Sequence, residues 1–206
     1  MPKNEIDSLK KLILINNSLT KIPDFVYDLK SLSSLNLSRN TIDTIDHRVT
    51  NLKGLKHLIL YRNSLKTLNP KLFELTKLIE LDCHHNRLST IDSNIKNLHD
   101  LQYLYLANNQ IKSLPAQLSQ CQNMRYCYIE GNRLTHIPIN FEQWQSLERI
   151  DLSHNQLSVF PPTIYRCSQL NELGISHNLI EEFPMTLLQL PKIAISMPKK
   201  TTANPQ

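Results

Sequence analysis

Apolar residues recur along this chain with a fixed period of 23. The first apolar position of each unit is Leu9, Leu32, Leu55, Leu78, Leu101, Met124, Leu147 and Leu170, with no insertion between them. Within a unit the first, fourth and sixth positions are apolar while the third, fifth and seventh vary. That alternation predicts one short strand per unit, its inward side stacked on the next. The fourth column reads Leu12, Leu35, Leu58, Leu81, Leu104, Cys127, Ile150, Leu173, so the inward stack is nearly uniform and sets the register. Asparagine holds the ninth position in all eight units, from Asn17 to Asn178. Its side chain both donates and accepts, which suits a turn that would otherwise bury unpaired backbone groups.

The returning half of each unit keeps one apolar residue at position 14, often followed by proline, as at Pro23, Pro115, Pro138, Pro161 and Pro184; Asp46, Asn69 and Asp92 depart from this. Fixed φ and a missing N–H disfavour a long helix, so irregular or short 3₁₀ segments are expected there. Trp144 and Phe141 make the returning half of the sixth unit bulkier, as core residues.

The spacing LxxLxLxxNxL, seen in LQYLYLANNQI from Leu101 to Ile111, resembles the leucine-rich repeat family. The resemblance implies an α/β solenoid: a curved horseshoe of eight repeats, parallel strands on the concave face and irregular or 3₁₀ segments on the convex face. The prolines resemble those of Ras-suppressor-type proteins and of the leucine-rich effectors of intracellular bacteria. One repeat domain is expected over residues 9–192, with a thin N-terminal cap at 1–8 in which Ile6 stands in for a preceding repeat. Past Leu190 the pattern fails: Ile193 is in phase, but Ser196 and Pro198 fall at inward positions. Residues 193–206 therefore read as an imperfect cap and a disordered tail.

Composition changes this picture little. Net charge is +5, but the cations are dispersed. No run could act as a signal sequence or membrane span, so the expected location is a cytosol, bacterial or host. The four cysteines fall at core positions: Cys83 at the sixth, Cys127 at the fourth, Cys121 and Cys167 at the twenty-first. They read as inert buried thiols rather than disulfide partners or nucleophiles.

With the interior assigned, function falls to the solvent-facing strand positions. Tyr103, Tyr105, Tyr126 and Tyr128 occupy the third and fifth positions of two consecutive repeats and form a square, with Tyr61 nearby. Glu80 and Arg149 flank one side of the square, Asp82 and Asp151 the other. Aromatic residues at the middle of a surface are typical interface anchors, and neighbouring carboxylates suit a partner's arginine or lysine through cation–π contact and ion pairing. Along one edge runs a mildly basic eighth-position row that includes Arg39, Arg62, His85, His154 and His177. Gly131 in that row is expected to leave a gap beside the tyrosines.

His57, His84, His85, His154 and His177 face the same side, but they do not converge as a metal would need, and no cofactor site is expected. Catalysis would require a positioned acid–base pair in a cleft; Asp82 with His85 is the best combination available, and no enzyme is expected. Carboxylates among the tyrosines oppose phosphate, so nucleic acid is not the expected ligand. The expectation is a non-catalytic module that binds a folded protein partner through its concave face, with a regulatory bacterial effector as one form and a cytosolic scaffold for signalling enzymes as the alternative. The partner-binding set is Tyr61, Glu80, Asp82, His84, His85, Tyr103, Tyr105, Tyr126, Tyr128, Arg149, Asp151 and His154.

Overall fold

A computed structural model describes residues 8–182 and 184–185, together with the backbone of 194–196. Residues 1–7 of the expected cap over 1–8, the position-14 residue Phe183, Leu190, Ile193, Pro198 and the tail 199–206 lie outside the described residues.

Each repeat contributes one three-residue strand: β1 (Lys11–Ile13), β2 (Ser34–Asn36), β3 (His57–Ile59), β4 (Glu80–Asp82), β5 (Tyr103–Tyr105), β6 (Tyr126–Tyr128), β7 (Arg149–Asp151) and β8 (Glu172–Gly174). They pair in parallel and in sequence order, as a solenoid requires, in one open sheet. Every register step from β1 to β8 is 23 residues, for example Leu81 with Leu104. The chain adds a ninth strand, β9 (Ala194–Ser196), in the stretch where the repeat pattern fails. It pairs with β8 through Leu173 and Ile195, an offset of 22. The last turn is therefore one residue shorter, and Ile195 rather than Ser196 takes the register of the fourth column.

The interior is the column expected: Leu35, Leu58, Leu81, Leu104, Cys127, Ile150 and Leu173 are all fully buried. Trp144 is also fully buried and packs edge-on against Phe141 at 5.5 Å between ring centres. The ninth-position asparagines stitch the column lengthwise. Asn86 donates from Nδ2 to the Leu60 and Cys83 carbonyls at 3.0 and 2.9 Å, while its Oδ1 accepts the Leu65 N–H at 3.0 Å. The same pattern recurs at Asn40, Asn63, Asn109, Asn132, Asn155 and Asn178.

Short 3₁₀ turns fill the convex side, and their starts explain the departures from proline. Asp46, Asn69 and Asp92 cap the turns that follow, each accepting the N–H two residues on (Arg48, Lys71, Asn94). Proline and a short acceptor thus serve the same position by different means. The two twenty-first-position cysteines are buried, and each points its thiol at a carbonyl of the preceding repeat: Cys121 at Ile95 (3.3 Å) and Cys167 at Phe141 (3.4 Å). Burial pushes both thiols up to about 12.

Candidate protein-interaction face

Strand residues at the third, fifth and seventh positions project onto the concave side, and there the tyrosines meet as expected. Tyr103 and Tyr126 stand edge-to-face at 5.3 Å, Tyr105 and Tyr128 stack at 5.6 Å, and Tyr126 lies 6.4 Å from Tyr128. The square extends further than its four corners. His84 lies 6.4 Å from Tyr105 and stacks on Tyr61 at 4.3 Å, so an aromatic band crosses β3 to β6 diagonally. All five tyrosines are half-buried. Burial, with Glu80 and Tyr128 nearby, pushes the Tyr105 phenol up to about 12, and burial likewise raises Tyr128. Both are neutral hydrogen-bonding aromatics at physiological pH.

The charged residues around the band are largely engaged within the chain. Glu80 Oε2 lies 2.8 Å from His57 Nδ1. Asp82 is buried, accepts the His84 N–H at 3.1 Å and pairs with the His84 ring. The Asp82–His85 combination weighed for catalysis is not formed; the adjacent His84 takes the carboxylate. Asp151 accepts the Ser153 N–H at 2.8 Å and lies over the bare Cα of Gly174, where a Cβ would stand 2.2 Å from its Oδ1. These two carboxylates close the turn after their strands rather than facing outward.

Tyr126 is not open to a foreign cation on both sides. Arg149 lies 5.4 Å and Arg125 6.0 Å from its ring centre. Arg125 also donates to the Tyr103 hydroxyl at 3.1 Å and pairs with Glu148, while Arg149 pairs with Glu172 at 3.4 Å. The chain's own guanidiniums thus occupy part of the cation–π surface expected for a partner. His154 stacks on His177 at 4.1 Å, at the far end of the row from Arg39.

The eighth-position row has a conformational cause invisible in residue types alone. Asn16, Arg39, Arg62, His85, Asn108, Gly131, His154 and His177 all have φ between 51° and 66°. This left-handed turn ends each strand and favours glycine, asparagine and histidine. Gly131 leaves no gap: Asn108 folds over it, and a Cβ at Gly131 would stand 2.8 Å from Asn108 Oδ1. Sequence reasoning also passed over Glu130, at the seventh position. Its Oε2 is buried without a hydrogen-bond partner, and burial raises its carboxyl above the ordinary 4.5. A lone carboxylate facing a run of tyrosines was the only sequence sign of it. Among the described residues no group of three or more His, Cys, Asp or Glu is placed to hold a metal, and no helix is long and apolar enough to cross a membrane.

The model of the family described as "Leucine rich repeat" matches residues 7–65, 53–111, 76–134 and 122–180. The chain belongs to the leucine-rich repeat family. Among solved structures, it is similar to a leucine-rich repeat protein of Leptospira interrogans at 27% identity, with a TM-score of 0.81 over 94% of this chain and 57% of that one. Internalin C2 of Listeria monocytogenes superposes with a TM-score of 0.85 at 24% identity, covering 94% of this chain and 83% of that one. Internalin F of the same organism gives 0.74 at 21%, covering 94% and 61%. The two internalin likenesses bear on fold alone, and this chain spans little more than half of the Leptospira protein. No curated protein sequence matches. Leucine-rich repeat folds are typical protein–protein interaction modules and are generally non-catalytic.

Proposed function

We propose that this leucine-rich repeat protein binds a folded protein partner through its concave face, with Tyr103, Tyr105, Tyr126 and Tyr128 as the anchor and Tyr61 and His84 extending it. The aromatic band from Tyr61 to Tyr103 carries this reading, because half-exposed rings grouped at the middle of a sheet face contribute little to the core beneath them and much to an interface. Glu80, Asp82, His85, Arg149, Asp151 and His154 shape the surround, the carboxylates by holding neighbours in place. In this reading the protein is a cytosolic regulator, in keeping with four free and buried thiols, and an effector that covers a site on its partner is one form of it.

The test compares the wild type with Tyr103→Ala/Tyr105→Ala/Tyr126→Ala/Tyr128→Ala in affinity capture from bacterial and host lysates, after circular dichroism shows that both fold. A protein retained by the first and lost by the second supports the anchor. The same proteins retained by both would reduce the tyrosines to a covering of the sheet.

A further inference from the structure

Two arginines on the concave edge are not accounted for by folding. Arg39 and Arg62 take the left-handed turn conformation, at φ 56° and 51°. A side chain with a Cβ pays roughly 1–2 kcal/mol there, and asparagine, histidine and glycine tolerate it best. Those are the residues that fill the other six places of the row, from Asn16 to His177. Arginine in two successive repeats gains nothing from the turn itself.

Nor are these guanidiniums engaged by carboxylates. Both lean on one ring, with their Cζ atoms 6.0 and 5.2 Å from the centre of Tyr61, and among the described residues neither forms an ion pair. The strand-face carboxylates beside them are already held: Glu80 by His57 and Asp82 by His84. The remaining neighbour is His85, edge-on to Tyr61 at 5.5 Å, whose proton affinity is lowered by burial, by His84 and by Arg62. The open charge at this edge is therefore positive and concentrated around a flat aromatic support. Contact with the Tyr61 ring restrains two long, exposed side chains and leaves N–H groups of their planar guanidiniums free for a ligand, an arrangement suited to paired carboxylates.

We propose that Arg39, Arg62 and Tyr61 receive an acidic segment of the protein partner, its aspartate or glutamate side chains bridging the two guanidiniums while the rest of the partner lies on the tyrosines. This assignment rests on the concave face being the binding face, and it gives the partner a charge opposite to that suggested by the carboxylates of the sequence alone.

The test uses fluorescence anisotropy with a fluorescein-labelled octapeptide of alternating aspartate and glutamate, and with its asparagine–glutamine counterpart, at low ionic strength. The acidic peptide should bind the wild type at least tenfold more tightly than the neutral one, and less tightly as salt is raised. Arg39→Gln/Arg62→Gln should weaken it at least tenfold; Arg39→Lys/Arg62→Lys, which keeps the charge, should lose less; Lys10→Gln/Lys11→Gln, away from this edge, should bind as wild type. Equal binding of the two peptides, an Arg39→Gln/Arg62→Gln variant that binds like wild type, or an equal loss in the Lys10→Gln/Lys11→Gln variant would overturn the proposal. So would a uridine octanucleotide that binds more tightly than the acidic peptide and is lost with the same arginines, which would assign the edge to nucleic acid. The tyrosine anchor is judged separately: loss confined to the arginine variants speaks to this edge alone, whereas a captured partner indifferent to the four tyrosine substitutions speaks against the anchor alone.

Discussion

Asn86 shows how much a single repeated residue can hold. Its amide donates to the Leu60 and Cys83 carbonyls, with a longer contact to that of His84, and accepts the Leu65 N–H, so it ties together the backbone of two adjacent repeats. Removing the amide leaves the Leu65 N–H without its partner, at about 1–3 kcal/mol, while the Leu60 and Cys83 carbonyls keep the amides of Asn63 and Asn109. Asn86→Ala should therefore lower unfolding free energy by roughly 1–3 kcal/mol in urea titration, and no measurable loss would mean that the backbone repairs itself. Glu130 makes the opposite case, a residue that opposes the fold. Burial raises its carboxyl above the ordinary 4.5, with Asp151 adding to the rise and His84 and His154 offsetting part of it. A carboxyl raised in the folded state adds its stability below the unfolded value and loses it as pH climbs through the folded one. Glu130→Gln should thus gain stability over wild type at pH 7, with the gap narrowing towards pH 4. A gap that stayed constant across that range would remove the carboxylate as its cause.

At the scale of the element, each of the first seven repeats is a strand, a left-handed turn and a 3₁₀ segment, and these were unequally legible. Strand positions follow from period-two alternation, so β1 to β8 and their tyrosines could be placed from residue types alone. The turn could not, because Asn108, Arg62 and His85 share nothing chemical beyond the positive φ they adopt, and residue chemistry alone reads them as a rim. The same blindness made Gly131 look like an opening when it is a place where a Cβ does not fit. Gly131→Ala should cost roughly 1–2 kcal/mol from the conformation, and more where Asn108 must move aside from a Cβ 2.8 Å away. Replacing the exposed neighbour instead, as Asn108→Gly, should cost less than Gly131→Ala when the two variants are compared by thermal melts, since it relieves that conformation. Asp82 and Asp151 were visible as carboxylates but not as turn locks, because the N–H groups they accept belong to a bend whose shape the spacing does not disclose. At the far end, the one-residue slip that brings Ile195 into register lies below what a fixed period can show, since a strict count of 23 puts Ser196 there.

At the scale of the whole molecule, a solenoid spreads a defect differently from a globule. Each strand pairs only with its sequence neighbours, so the cost of a lost side chain stays in the repeats that flank it. The four thiols report on this because all are buried and free: Cys83 in the repeat before β5, Cys121 and Cys127 close after it, Cys167 beyond β7. Leu104 sits in register with Leu81 on one side and Cys127 on the other. Leu104→Ala leaves a cavity at the middle of the column, costing about 2–5 kcal/mol. Where opening is local and fast, thiol labelling speeds up with the population of the open form, roughly tenfold for each 1.4 kcal/mol. The variant should therefore quicken alkylation of Cys83, Cys121 and Cys127 by more than tenfold and leave Cys167 nearly unchanged, as read by mass spectrometry of labelled peptides. Equal acceleration at all four would show that the column opens as one cooperative body, and that a partner gripping the tyrosines would stiffen its whole length rather than the repeats it touches.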